Sequence, residues 1–248
     1  MNVATYLQRI NYQGSTEPTA ETLGELHRAH MLAVPFENLD IHLRREIVLD
    51  DGRVYAKIVE RRRGGFCYEL NGAFAGLLRE LGFNMKMLAA GVARAAGGFG
   101  PLFDHMALLV ELEEQWLADV GFGDSFREPL RLDDEGEQVQ TFGAYRIRHD
   151  GEQRIMERRS GDEWQPQYRF TLQPYEYGDY TEMCRYHQTS PESHFTQKRV
   201  CSLATVEGRV TLTNERLITT MGDARHEHEL ASESEIAAVL RQQFGVVL

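Results

Sequence analysis

The stretch RRRGGFCYELNGAF, Arg61 to Phe74, sets a cysteine between a basic, glycine-containing turn and a periodic apolar segment. Leu70, Phe74, Leu77, Leu78 and Leu81 recur at three- and four-residue steps, which makes one apolar helix face, and Gly82 supplies a stop. Cys67 therefore stands in the first turn of a helix, beside N–H groups that have no intrahelical acceptor and at the positive end of the dipole. With Arg61, Arg62 and Arg63 just upstream, that placement favours a thiolate. Gly64 and Gly65 let the chain turn sharply and let other groups come close. Position alone fits two readings of Cys67, a nucleophile and a small buried hydrophobe.

Upstream of this helix the pattern is also helical. Tyr6, Leu7 and Ile10 suit one short helix, Leu23, Leu26, His27, His30 and Met31 another, and Asp51 is placed to cap a third that carries Val54, Tyr55, Ile58 and Val59. Beyond Gly82 the period changes to two. Segments around 86–92, 105–112, 116–121, 144–148, 154–158 and 167–172 are short, β-rich and separated by Gly, Asp or Glu turns, which predicts an antiparallel sheet or barrel. A helix is expected near Tyr175–His187 and strands near 198–205 and 208–213. SESE at 232–235 reads as a capping box that opens a last helix with Ile236, Val239 and Leu240, ended by Gly245. The fold class is α+β: a helical bundle over 1–84 carrying Cys67, a β domain over 85–187, and a mixed α/β segment over 188–248.

The 248 residues are 42% hydrophobic and 26% charged, ordinary for a globular protein with a sizeable core. A formal net charge of −11 argues against nucleic acid or an anionic membrane as the main partner, since both are repelled at long range, and an anionic small ligand needs local basic groups. No basic segment followed by an apolar run opens the chain, and no stretch is apolar for the length of a membrane span, so a cytoplasmic protein is expected. Cys67, Cys184 and Cys201 are odd in number and include no CxxC pair, which suggests neither a disulfide framework nor a zinc knuckle. HEHE at 226–229 lacks the HExxH spacing and reads as a surface strand or loop, so no metal is expected.

A thiol nucleophile needs an acid–base partner, and FDHMALLVELEEQWLADVGFGDSF, Phe103 to Phe126, offers one. His105, Ala107 and Leu109 share a face of a strand, and Asp119 lies on the return strand before a glycine-rich GFG. Cross-strand partners have a constant index sum, and only an even sum puts His105 and Asp119 on one face, so the loop must hold an odd number of residues. Glu111–Glu113 as the loop sets the two directly opposite, and Leu112–Glu114 sets them diagonally. A core or surface histidine and a turn aspartate are the plain alternatives.

Cysteine, histidine and carboxylate in that order is an arrangement used for acyl transfer by thiols. YLQRINYQG, PTAETLGELHRAHMLAVPFENLDI, RRRGGFCYELN, DHMALLV and LADVGFG are similar, in order and separation, to segments of the bacterial arylamine N-acetyltransferases, over most of the chain. The resemblance implies a helical bundle, a central antiparallel β-barrel and an α/β lid around a cysteine-protease-like triad core. It also implies acetyl transfer from acetyl-CoA, with no metal, to an aromatic amine, a hydrazine or an N-hydroxyarylamine through an acetyl-cysteine. The family's triad falls on Cys67, His105 and Asp119. Gly121, Phe122, Gly123 and Phe103 are then candidates to line the CoA cleft, and Arg61–Arg63 with Lys198 and Arg199 candidates to meet its phosphates. The resemblance further suggests a buried Arg63–Glu37 pair and a hydrogen bond from Asn71, one helical turn from Cys67, to Asp119 or nearby backbone. FGVVL follows the last helix closely, earlier than in many family members, so a lid and CoA cleft of different shape are expected. The same triad order also serves thiol hydrolases and transglutaminase-like enzymes, and a non-catalytic binding module is the third reading.

Overall fold

The N-terminal helices form where apolar residues recur at helical steps and a polar residue stands ready to cap them. In the computed structural model, which describes residues 1–222 and 224–248, Asn2 caps α1 (Val3–Arg9) and Thr19 caps α2 (Ala20–Ala33), each side chain accepting a first-turn N–H. A short strand β1 (Phe36–Glu37) and the single turn α3 (Leu39–His42) lead to α4 (Asp51–Tyr55). Asp50, not Asp51, is the cap of α4: its carboxylate accepts the Arg53 N–H at 2.9 Å, and Asp51 is the first residue inside. The expected helix through Val59 also changes character partway, becoming a π-type turn over Ala56–Glu60 that turns Lys57 into the interior.

The helix that follows, α5 (Cys67–Glu80), is buried along its length from Cys67 to Leu78, on every side and not only on its leucine face. Small residues permit this: Gly72 and Gly76 leave room for Tyr177 and Met1 to press against the helix surface. Gly82 follows at φ 84°, the left-handed geometry of a helix stop.

The chain then builds β2 (Asn84–Val92), β3 (His105–Glu111), β4 (Gln115–Ala118), β5 (Leu130–Arg131), β6 (Gln138–Gln140), β7 (Gly143–Asp150), β8 (Gln153–Ser160) and β9 (Glu163–Tyr175). They form one antiparallel eight-stranded sheet in the order β5-β4-β3-β2-β9-β8-β7-β6, and β5 comes back against β7, so the barrel is nearly closed. Alternation along β3 divides two cores: Ala107 and Leu109 point into the barrel with Leu117, Tyr145 and Tyr168, whereas Met106, Leu108 and Val110 pack against the bundle around α5.

A 3₁₀ turn (Tyr177–Tyr180), α6 (Thr181–Thr189) and α7 (His194–Gln197) lead into the last sheet. Its strands β10 (Val200–Thr205), β11 (Gly208–Thr213), β12 (Arg216–Met221) and β13 (Ala224–Glu229) follow one another, and β1 joins its other edge through Phe36–Ser202 and Glu37–Cys201 pairing. HEHE lies on β13, exposed throughout. The closing helix α8 (Glu233–Phe244) is capped by Ser232 and stopped by Gly245 at φ 65°. No helix among the described residues is long and apolar enough to cross a membrane.

Candidate active site

Cys67 is held where it is by what precedes it. Gly64 passes so close to Pro35 that a Cβ there would overlap the Pro35 carbonyl oxygen, and Glu37 N–H donates to Gly65 O at 2.8 Å. Phe66, the residue before α5, has no side-chain acceptor, so Glu69 reaches back to its N–H at 3.3 Å. Glu69 in turn belongs to a buried ion cluster. Lys57 Nζ lies 2.8 Å from both Glu69 and Asp40, and Arg63 bridges Glu37 at 2.7 Å and Asp40 at 3.0 Å. The Arg63–Glu37 pair is thus present inside a larger network whose other members, Lys57, Asp40 and Glu69, the sequence reading missed. Burial on its own would depress the Lys57 ammonium, but the surrounding carboxylates more than offset it and keep it charged.

The β3–β4 hairpin takes the diagonal of the two registers allowed by parity. Glu111 pairs with Gln115 and Leu108 with Ala118, so Leu112–Glu114 is the loop. His105 Nε2 and Asp119 Oδ2 come to 2.7 Å in full burial. An ionised carboxylate only accepts, so Nε2 carries the hydrogen and Nδ1 is left as the basic nitrogen. Burial by itself would raise the Asp119 carboxyl, yet the His105 imidazole, the Asn71 amide and the Gly121 N–H outweigh it and hold the group below its ordinary value.

Asn71 connects this pair to the helix. Its Nδ2 donates to Asp119 Oδ1 at 2.9 Å and to Met106 O at 2.6 Å, and its Oδ1 accepts the Val120 N–H at 2.9 Å. Standing four residues from Cys67, it brings the cysteine's face of α5 against the strand ends that carry His105 and Asp119. Gly121 completes the contact: a Cβ there would lie 2.8 Å from the Cys67 Cα and carbonyl oxygen. His27 supports it from behind, accepting the Asp119 N–H at 3.1 Å and donating through Nδ1 to Arg127 O at 2.8 Å. The sequence showed His27 only as a core-facing helix position.

The arginine run does not tune the thiol as expected. Arg61 and Arg62 are exposed, and Arg63 is engaged by carboxylates. Burial pushes the Cys67 thiol well above its ordinary value, with Cys184, Asp119 and Asp104 adding to the rise and the Met106 N–H opposing it. Burial thus disfavours a lone thiolate, and a neighbouring base that takes the proton, such as His105, offsets it.

Phe122 packs its ring 5.1 Å from His105 and 5.0 Å from Tyr168, with Gly123 beyond it at φ 87°. Phe103 lies on the other side, its ring 4.8 Å from Tyr175 and its carbonyl accepting the Tyr68 hydroxyl at 2.6 Å. Arg199 is paired with Glu233, in the first turn of α8. Among the described residues, no group of three or more His, Cys, Asp or Glu side chains is arranged to hold a metal.

A family profile described as N-acetyltransferase matches residues 19–248. The arylamine N-acetyltransferase / N-hydroxyarylamine O-acetyltransferase of Salmonella typhimurium is 38% identical over 245 residues, 97% of this chain and 87% of its own length. A solved arylamine N-acetyltransferase from Salmonella typhimurium superposes with a TM-score of 0.94 at 36% identity, covering 98% of this chain and 90% of that one. The Mycobacterium marinum arylamine N-acetyltransferase solved in complex with CoA does so with a TM-score of 0.92 at 30% identity, covering 99% and 93%.

Proposed function

The chain belongs to the arylamine N-acetyltransferase family, and on that premise we propose that it carries an acetyl group from acetyl-CoA to aromatic amines or hydrazines through Cys67. N-hydroxyarylamines are proposed as O-acetyl acceptors, after the activity in the Salmonella typhimurium relative's name. The observation that carries the assignment is the buried 2.7 Å His105–Asp119 pair set against the first turn of the helix that opens with Cys67.

In the first half-reaction the Cys67 sulfur bonds to the thioester carbonyl carbon while its proton passes to His105 Nδ1. Asp119 steadies the imidazolium through Nε2. The Cys67 N–H, in the first turn of α5, faces no intrahelical acceptor and suits the developing oxyanion. The carbon–sulfur bond to CoA then breaks and the leaving thiolate takes the proton. In the second half the amine attacks the acetyl-cysteine, its proton goes to Nδ1, and the bond to Cys67 breaks as its sulfur is reprotonated. Phe122 beside His105, with Gly121, Gly123 and Phe103, is proposed to line the cleft that receives CoA and the aryl group. A cytoplasmic place in the handling of foreign amines is the setting proposed.

Intact-mass measurement after mixing with acetyl-CoA tests this. One acetyl group is expected on the wild type and none on Cys67→Ala. Acetylation of Cys67→Ala at a comparable rate removes Cys67 from the mechanism.

A further inference from the structure

Beyond the triad, one cluster of charges is left unbalanced. The loop that sets Phe122 against the His105 ring at 5.1 Å carries Asp124 two residues later, at most about 7 Å further along the chain. The Asp124 carboxylate is gripped from two directions: Arg158 Nη1, from the barrel strand β8, donates to Oδ2 at 3.2 Å, and Arg209 Nε, from the lid strand β11, donates to Oδ1 at 3.1 Å. Arg127, from the same loop, donates to the carbonyls of Thr205 and Gly208 at the β10–β11 turn. Two guanidinium groups, from barrel and lid, thus hold one carboxylate, with a third anchored on the adjoining turn, in a chain whose formal net charge is −11.

The cluster also has donors to spare. Arg209 Nη2 and the Ser125 Oγ, next to Asp124, are both buried and without a hydrogen-bond partner among the described residues. Burial lowers the Arg209 and Arg127 guanidinium groups by more than Asp124 raises them, whereas at Arg158 burial is outweighed by Asp124 and Tyr145 and the group is raised. Asp124 itself is 62% exposed at the side chain, so solvent and a dissolved anion can reach the carboxylate and the groups that hold it.

We propose that Arg158 and Arg209 form an anion subsite at the junction of barrel and lid, filled in the unliganded protein by the tethered Asp124 carboxylate and taken over by a carboxylate or phosphate group on an incoming molecule. Asp124 shows that the two arginines hold a carboxylate by one single contact to each oxygen, an arrangement that the oxygens of aryl carboxylates and phosphates can also accept. A free anion brings a third contact within reach, because it is not tied to the loop and can turn toward Arg209 Nη2 and Ser125. Assigning the anion to a substrate of acetyl transfer rests on the function proposed above. Anion binding itself does not.

Calorimetric titration of the unacetylated protein with benzoate and with inorganic pyrophosphate separates the two claims. Asp124→Asn removes the competing charge and is expected to tighten binding about tenfold, and Arg158→Gln to weaken it about tenfold, the size of one charge-assisted contact. A passive latch between loop, barrel and lid gives instead no change in either variant, or weaker binding in both, and either result overturns the subsite. The source of the anion is then read from KM in Arg158→Gln. A rise for 4-aminobenzoate and not for aniline assigns it to the aryl substrate, and a rise for acetyl-CoA and not for S-acetylpantetheine assigns it to the CoA phosphates. If neither rises, the assignment to a substrate is wrong.

Discussion

His27 shows how much chemistry a single core position can hold. It accepts the Asp119 N–H at Nε2 and donates to Arg127 O through Nδ1, with its ring stacked on Phe126, so it does its work only as the neutral imidazole. Burial pushes its pKa down to about 4 from 6.5. The folded value lies below the unfolded one, so the stability His27 contributes is complete above pH 6.5 and is lost as pH falls toward 4, about 3 kcal/mol over that window. His30, held well below its ordinary value mainly by burial, acts with the same sign. Urea unfolding between pH 6.5 and about 5 is expected to lose stability with a slope approaching two protons, and His27→Gln to reduce that slope by about one. An unchanged slope means that His27 is not buried in its neutral form. Cys67, His105 and Asp119, the proposed triad, stood out in the sequence because each sits beside a local signal: a helix start, a strand face, a glycine turn. His27 was legible only as a core position, since its partners lie far along the chain on other elements.

Elements repeat the lesson with register in place of hydrogen bonds. The strand period and the fourteen-residue spacing of His105 and Asp119 required an odd loop but allowed two, and the fold takes Leu112–Glu114, where Leu112 N–H donates to Glu114 O at 2.9 Å. Inserting one residue between Glu113 and Glu114 makes the index sum odd, so Asp119 turns to the bundle side of β4 unless a bulge forms. Acetyl transfer is expected to fall about a hundredfold or more, since the misplacement is at the chemistry, and the melting temperature to drop with it, since Leu117 and Ala118 exchange cores. An insertion variant as active as wild type shows that hairpin register does not align the pair. Other elements were hidden for stated reasons. Strand β12 is half-buried, with polar residues on both faces and no alternation to mark it, while β13 beyond it is the exposed edge on which HEHE, read as a surface strand or loop, lies. Lys57 faces inward because the helix opens into a π turn at Ala56, and no hydrophobic period announces that change.

At the scale of the whole molecule, separate cores meet at few points: the bundle with the outer barrel face, the barrel interior, and the lid. Three consecutive residues form one part of the bundle-to-lid joint, beside the packing of α2 on β10. Glu37 sits in the ion cluster below Cys67, Leu39 belongs to the lid core, and Asn38 between them is 1% exposed. Asn38 Nδ2 donates to Phe195 O at 3.0 Å and Lys198 O at 2.7 Å, and its Oδ1 accepts the Val200 N–H at 2.8 Å, just where the chain enters β10. ENLD gave no sign of this in sequence, because a buried asparagine is recognised by its partners and these lie at the far end of the chain. Asn38→Ala leaves all three backbone groups without their partner, and at roughly 1 kcal/mol each the lid loses about 3 kcal/mol of attachment. If the cores open separately, native-state hydrogen exchange in β10 and β11 accelerates about a hundredfold in Asn38→Ala while the amides of α5, locked between bundle and barrel, keep their wild-type rates. Equal acceleration in α5 means that bundle and lid open as one unit, and then the joint at Asn38 carries stability of the entire chain and not of the lid alone.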